Sequence, residues 1–364
     1  MRLHVYFARR FFLTFLAVLT GFALLLFLLD LVEQLRQFES AALGFGDAVG
    51  LTFLHVPQSI YRILPLVMIL ATLALFLTLA RTSELVVVRA SGRSALRSVA
   101  APLTVALLVG MIAVSVFNPI VAATTERYEL AVSRHTDIAA SALSVSPEGL
   151  WLRQGDAAGQ TVIRAGRANF DGTQLFDVSF VGFRRDGAPA YRIEAETARL
   201  EQGNWVMTNA IHWPLDQPNP DLAASRHDRF TLHTTLTRNQ ILDSFGTPSA
   251  VPVWELPAFI GRLEDAGFSA RRHKVWLQME LAMPLLLVAM VLVGASFTMR
   301  QTRQGRTGLM VLLALVMGFG LYFIRNLAQV LGENGQIPIA LSAWGPPVAA
   351  VLLPLGLLLH WEDG

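Results

Sequence analysis

Residues that could carry out bond-making chemistry are few in this chain, and none falls in a catalytic pattern. The only lysine is Lys274, preceded by His273 where a phosphate-cradling loop needs glycine, so a Walker-type nucleotide site is excluded. There is no His-Glu-x-x-His, no His-x-His and no His/Cys cluster, which argues against a zinc site. No Gly-x-Ser-x-Gly elbow presents a serine nucleophile. His212, His227 and His233 stand apart and read most simply as surface or strand residues. The chain is therefore expected to be no enzyme and to need no cofactor or metal; uphill work would draw its energy from a partner. The residues that call for an explanation are charges set in apolar surroundings, Asp30 and Arg325, each of which costs about 3 kcal/mol if left facing lipid.

Those charges are positioned by long apolar runs. Hydrophobic residues make up 53% of the chain, charged ones 15%, and mean hydropathy is +0.48, values outside the range of a water-soluble domain. Six runs are long enough to cross a hydrocarbon core: residues 11–32, 55–80, 98–119, 275–298, 307–330 and 341–359. The first follows Arg9 and Arg10 as a secretory leader would, but it exceeds a leader's apolar core, and no small-x-small site precedes Glu33-Gln34-Leu35-Arg36. It is read as a retained first span.

Arginine placement sets the expected orientation, because basic flanks resist translocation. Arg2, Arg9 and Arg10 precede span one; Arg81, Arg89, Arg93 and Arg97 follow span two; Arg300, Arg303 and Arg306 follow span four. A cytoplasmic N-terminus puts all three groups, and the C-terminal tail, on the cytoplasmic side. Only Arg271-Arg272-His273-Lys274 dissents, at the outer mouth of span four.

Between spans three and four lies a polar insert, residues 120–272, flanked by membrane segments at 1–119 and 273–364. Its start, 120–136, is expected to prolong span three as a helix. Alternating stretches at 149–154, 160–170, 175–184 and 229–235, with a hairpin over 191–211 turning at Gln202-Gly203-Asn204, predict an all-β sandwich or jelly roll. Leu256 to Asp265 reads as a helix returning to the membrane. The expected fold is a polytopic six-helix membrane protein with an inserted jelly-roll-like β domain.

The loop after span two, ARTSELVVVRASGRSALR, predicts a short helix capped by Ser83, with Glu84 in its first turn and an end near Gly92. Its mixture of arginines and valines suits a groove on a soluble protein, and equally an interfacial helix on lipid headgroups.

Several of these stretches together resemble the lipopolysaccharide export permeases, the YjgP/YjgQ or LptF/LptG family, and the LptG kind more than the LptF kind. They are YFARRFF from Tyr6, LVEQLR from Leu31, RTSELVVVRASG from Arg81, GLWL from Gly149, and the passage from Leu256 to Phe297. With the three-plus-three arrangement they cover nearly the whole chain. The resemblance implies a bacterial inner-membrane subunit of an ATP-binding-cassette exporter, with a periplasmic jelly roll. It implies as partners an LptB-type ATPase dimer, an LptF-type sibling permease, an LptC-type single-span bridge protein and lipopolysaccharide; nucleic acid is not among them.

Carried onto this sequence, the family's ATPase-coupling helix falls on Arg81, Ser83, Glu84, Leu85, Val88, Arg89 and Gly92, with Glu84 as polar contact to the ATPase and Val88 on the same helix face. Lipopolysaccharide is a phosphorylated amphiphile, so its cavity calls for cations at an outer rim. Arg36, Arg62, Arg271, Arg272 and Lys274 are the candidates. Spans one and five line the family's gate. Asp30 stands near a position where relatives commonly carry lysine, which suggests that the charges have exchanged, with Arg325 holding phosphate or pairing with Asp30. The bland alternative makes Asp30 a snorkelling residue and Arg325 a helix-end anchor.

Three other classes are weighed. A lipoprotein-releasing permease commonly has one span before its domain and three after; a receptor or scaffold needs no ATPase-docking loop; a membrane hydrolase lacks its catalytic residues here.

Overall fold

Apolar runs of this length form helices in which every backbone donor finds an intrahelical acceptor, the arrangement a hydrocarbon solvent demands. A computed structural model describes residues 2–37, 44–82, 84, 95–135, 144–146, 149–155, 159–168, 173–217, 219–234, 236–237, 241, 248–265, 269–298 and 307–363. Among them are six helices long and apolar enough to cross a membrane. Helix α1 is Arg2–Gln37 and α2 is Phe45–Arg81. The third span is α3 (Ala95–Ile112), a π-helical turn (Ala113–Phe117) and α4 (Asn118–His135). After the insert come α5 (Leu256–Asp265), α6 (Arg271–Thr298), α7 (Thr307–Glu333) and α8 (Ile339–Asp363). The helices overrun the apolar stretches at their ends because helical hydrogen bonding continues past the hydrocarbon boundary.

The chain divides into two units, Met1–Glu129 with Ser249–Trp254 and Arg271–Gly364, and Leu130–Pro248 with Glu255–Ala270. In the first, α6 is the axis: 72% of its apolar window is buried, against 6% for α1 and 17% for α7. Val67, Met68 and Phe76 of α2 join Leu287, Met290 and Val293 of α6 in one core, which also takes Phe7, Phe11 and Phe15 of α1. Small residues permit close approach, as is usual where helices pack without a hydrophobic drive between them. A Cβ on Gly110 would lie 2.5 Å from the Cα of Pro284, so α3 and α6 touch backbone to backbone there.

The second unit holds one seven-stranded antiparallel sheet in sequential order: β1 (Ser144–Ser146), β2 (Gly149–Gly155), β3 (Gly159–Ala168), β4 (Gln174–Arg184), β5 (Pro189–Glu201), β6 (Asn204–Pro214) and β7 (Ser225–His233). The β5–β6 hairpin turns at Gln202 and Gly203, whose φ angles of 45° and 78° match the type I′ turn that suits strand twist. Buried side chains alternate along the strands but skip a residue at one level: Leu175 to Val178, Ala195 to Ala198, Met207 to Ala210. Asp177 and Asn209, both at φ 52°, lie at this level, where the pairing is interrupted on successive strands without a change of register. Asn209 Nδ2 donates to Glu196 Oε2 across it at 2.6 Å.

Candidate functional site

Phe7, Phe11 and Phe15 recur every fourth residue and are at most 3% exposed, so they fix which face of α1 packs inward. Tyr6 and Arg10 then share a neighbouring face one turn apart. The Arg10 guanidinium lies 5.7 Å from the Tyr6 ring centroid, and its Nη1 donates to Tyr6 Oη at 2.5 Å. Helix α2 ends at Arg81, which is exposed, and Glu84 three residues on turns back to α1. Arg10 Nη1 donates to Glu84 Oε1 at 2.8 Å and Oε2 at 2.7 Å. Tyr6 Oη donates to Oε2 at 2.9 Å, and Thr82 Oγ1 to Oε1 at 2.9 Å. The Arg10 hydrogen bond, helped by those from Thr82 and Tyr6 against a burial penalty, holds the Glu84 carboxyl below the usual carboxylate range. Of the other expected coupling residues, Ser83, Leu85, Val88, Arg89 and Gly92 lie outside the described residues.

A second cluster surrounds Asp30. Its Oδ2 stands 3.1 Å from His55 Nδ1 and accepts from Ser59 Oγ at 3.3 Å, both on α2. The His55 ring packs on Tyr128 of α4, centroids 5.0 Å apart, and Tyr128 Oη accepts from Gln34 Nε2 at 2.8 Å. The pairing of Asp30 with Arg325 expected from charge exchange is thus corrected: the carboxylate is taken by α2, the helix that packs beside α1. A histidine and a serine four residues apart in an apolar run supply the polar partners that an intramembrane carboxylate requires.

Arg325, partly buried on α7, lies instead in the field of Glu280, Tyr322 and Tyr61. Glu280 of α6 is 2% exposed and accepts a hydrogen bond from the Tyr61 hydroxyl of α2. Asn118 reaches the same two side chains from the start of α4. The π turn is what places it there: one added residue per turn rotates α4 relative to α3 and frees backbone carbonyls. Trp254 Nε1 donates to one of these, Ser115 O, at 3.2 Å, while Val253 N donates to Asn118 Oδ1 at 2.9 Å. Sequence reasoning missed this junction. An acid within the apolar run from Val275 was the available signal.

The remaining cations fall in different settings. Arg36 is exposed in the last turn of α1, Arg62 is exposed near the middle of α2, and Arg272 is exposed beside half-buried Lys274. Arg271 is committed to the backbone: Nε donates to Gly332 O and Nη2 to Ile337 O, each at 2.6 Å, closing the C-terminal end of α7.

Comparison with known proteins gives a consistent result. A family profile described as lipopolysaccharide export system permease LptF/LptG matches residues 5–360. The chain is 25% identical over 345 residues to the lipopolysaccharide export system permease protein LptG of Escherichia coli strain K12, covering 93% of this chain and 91% of that one. It is 21% identical over 345 residues to the protein of the same name from Haemophilus influenzae, covering 92% of each.

Proposed function

Because the chain belongs to the LptF/LptG family of lipopolysaccharide export system permeases, we propose that it is the membrane permease of an ATP-binding-cassette exporter that extracts lipopolysaccharide from the bacterial inner membrane and passes it to a periplasmic bridge. The observation that carries this is the extent of the family match, which runs through both sets of spans and the β insert. ATP hydrolysis belongs to a partner, since the chain has no phosphate loop. In this reading the N- and C-termini are cytoplasmic and the β unit periplasmic. The segment from Arg81 to Gly92 engages an LptB-type ATPase. An LptF-type permease and an LptC-type bridge complete the assembly.

The membrane half of the reaction then needs a path for a bulky phosphorylated amphiphile. The outward faces of α1 (Leu24, Leu25, Leu28, Leu29, Val32) and α7 (Phe319, Phe323, Leu327, Val330) are more than 45% exposed and offer apolar walls for acyl chains. Arg36, Arg62, Arg272, Lys274 and Arg325 are the cations proposed for lipid phosphates, with Asp30 and its α2 partners steadying the gate helix. Arg271, held by two carbonyls, serves that rim by fixing the end of α7.

Photocrosslinkers installed in living cells at Arg36, Arg325 and Val88 test this. Lipopolysaccharide adducts at the two arginine positions with an ATPase adduct at position 88 are expected. An ATPase adduct without lipid overturns the cargo; no adduct at any position overturns the exporter reading.

A further inference from the structure

Two stretches stand out in the sequence 78 positions apart, YFARRFF at the head of span one and RTSELVVVRASG after span two, and the structure joins them through side chains. The joint is built before the acid arrives. Tyr6 and Arg10 are one helical turn apart, stacked as cation on ring and hydrogen-bonded to each other, which fixes the guanidinium and presents a donor fork. Glu84 fills that fork with both oxygens.

An isolated surface ion pair contributes little. This one differs in that three donors, Tyr6 and Arg10 of α1 and Thr82 capping α2, converge on one carboxylate, and Arg10 and Glu84 retain only 25% and 34% of their side-chain exposure. The packed stripe Phe7, Phe11, Phe15 ties the same end of α1 to the core, whereas its far half, Leu24 to Val32, is largely bare.

Resting on the reading above that segment 81–92 receives the ATPase, we infer that Arg10 and Tyr6 are positioning residues for coupling: by holding Glu84 they deliver motion of that segment directly to the first span. The clamp adds a side-chain path from Glu84 to α1 beside the covalent path through α2. With it, α1 is held to this segment at its packed end, while Asp30 and Gln34 tie its other end to α2 and α4.

The test compares Arg10→Glu, Glu84→Arg and the double reversal in the assembled complex in proteoliposomes, reading ATP hydrolysis and lipopolysaccharide release together. Each single reversal is expected to lower release per ATP hydrolysed about tenfold, the factor carried by a charge-assisted hydrogen bond. The double reversal restores most of that ratio. A double variant as uncoupled as either single, or silent singles, overturns the clamp. Spin labels at exposed Arg9 and Arg81 test it without the partners, using the absence of native cysteine. A narrow distance distribution that broadens in Arg10→Ala supports the clamp, and an unchanged one overturns it. Failure of the wild-type complex to retain an ATPase strikes the exporter reading alone.

Discussion

The hydroxyl of Tyr61 donates to a carboxylate oxygen of Glu280 across 219 positions of sequence, and both side chains are buried between spans. Tyr61→Phe removes the donor and leaves a desolvated carboxylate oxygen, at a cost of about 1–3 kcal/mol. Glu280→Gln keeps an acceptor oxygen for the hydroxyl but leaves Arg325 without the carboxylate in whose field it lies, so it should cost more. Thermal unfolding of the detergent-solubilised protein checks the order; a Tyr61→Phe variant as stable as wild type would show that the contact carries no weight.

Asn118 holds the segment that precedes α5 through its bond to the Val253 amide. Asn118→Leu should therefore raise hydrogen exchange at Val253 by about tenfold, as expected when a buried amide loses its acceptor. Exchange at Met207, in the core of the β unit, serves as the internal reference. An unaltered Val253 rate refutes the role given to Asn118.

The Asp30 cluster makes a prediction about additivity. Asp30→Asn and His55→Gln break one shared contact, so the double variant should be no worse in lipid release than the worse single. Asp30→Asn and Arg325→Gln touch different partners and should multiply their effects. The reverse pattern would reinstate a direct Asp30–Arg325 pair.

His212 gives the β unit a pH dependence. Its ring stacks on Phe230, centroids 5.5 Å apart, and burial, then repulsion from His227, opposed by Asp216, keeps its pKa below the ordinary value. The unfolded chain takes up a proton near pH 6.5 while the folded one resists, so stability present above that pH is lost as pH falls towards the folded value. Melting temperatures of the full chain at pH 7.5 and 5.5 should differ less in His212→Gln than in wild type.

What could be read from the sequence followed from local physics. The hairpin turn at Gln202-Gly203 was legible because a glycine flanked by alternating strands favours positive φ, and the six spans because length and apolarity suffice. The return helix from Leu256 to Asp265 appears where its pattern put it. The π turn at Ala113–Phe117 was invisible, since one extra residue in a turn changes no hydropathy average. Glu280 was visible as an acid in an apolar run, but its partner Tyr61 is a tertiary fact. The two halves of the Glu84 clamp were each noticed as motifs, and only folding reveals that they meet. The partners of Asp30, His55 and Ser59 on α2, were not legible, because which face of one apolar run meets another is a tertiary fact.

The sequential order of the seven strands bears on how the chain is made. Each strand pairs with its neighbour in sequence, and the β4–β5 and β5–β6 links are short turns around Gly187 and Gly203. Among the described strands none has to wait for a distant segment to pair, and with no cysteine there is no oxidation step to wait for either. Pairing of this kind closes small loops and is kinetically fast. The sheet can grow strand by strand in the order of synthesis, so that at each moment one unfinished edge, rather than a whole unfolded domain, is open to aggregation.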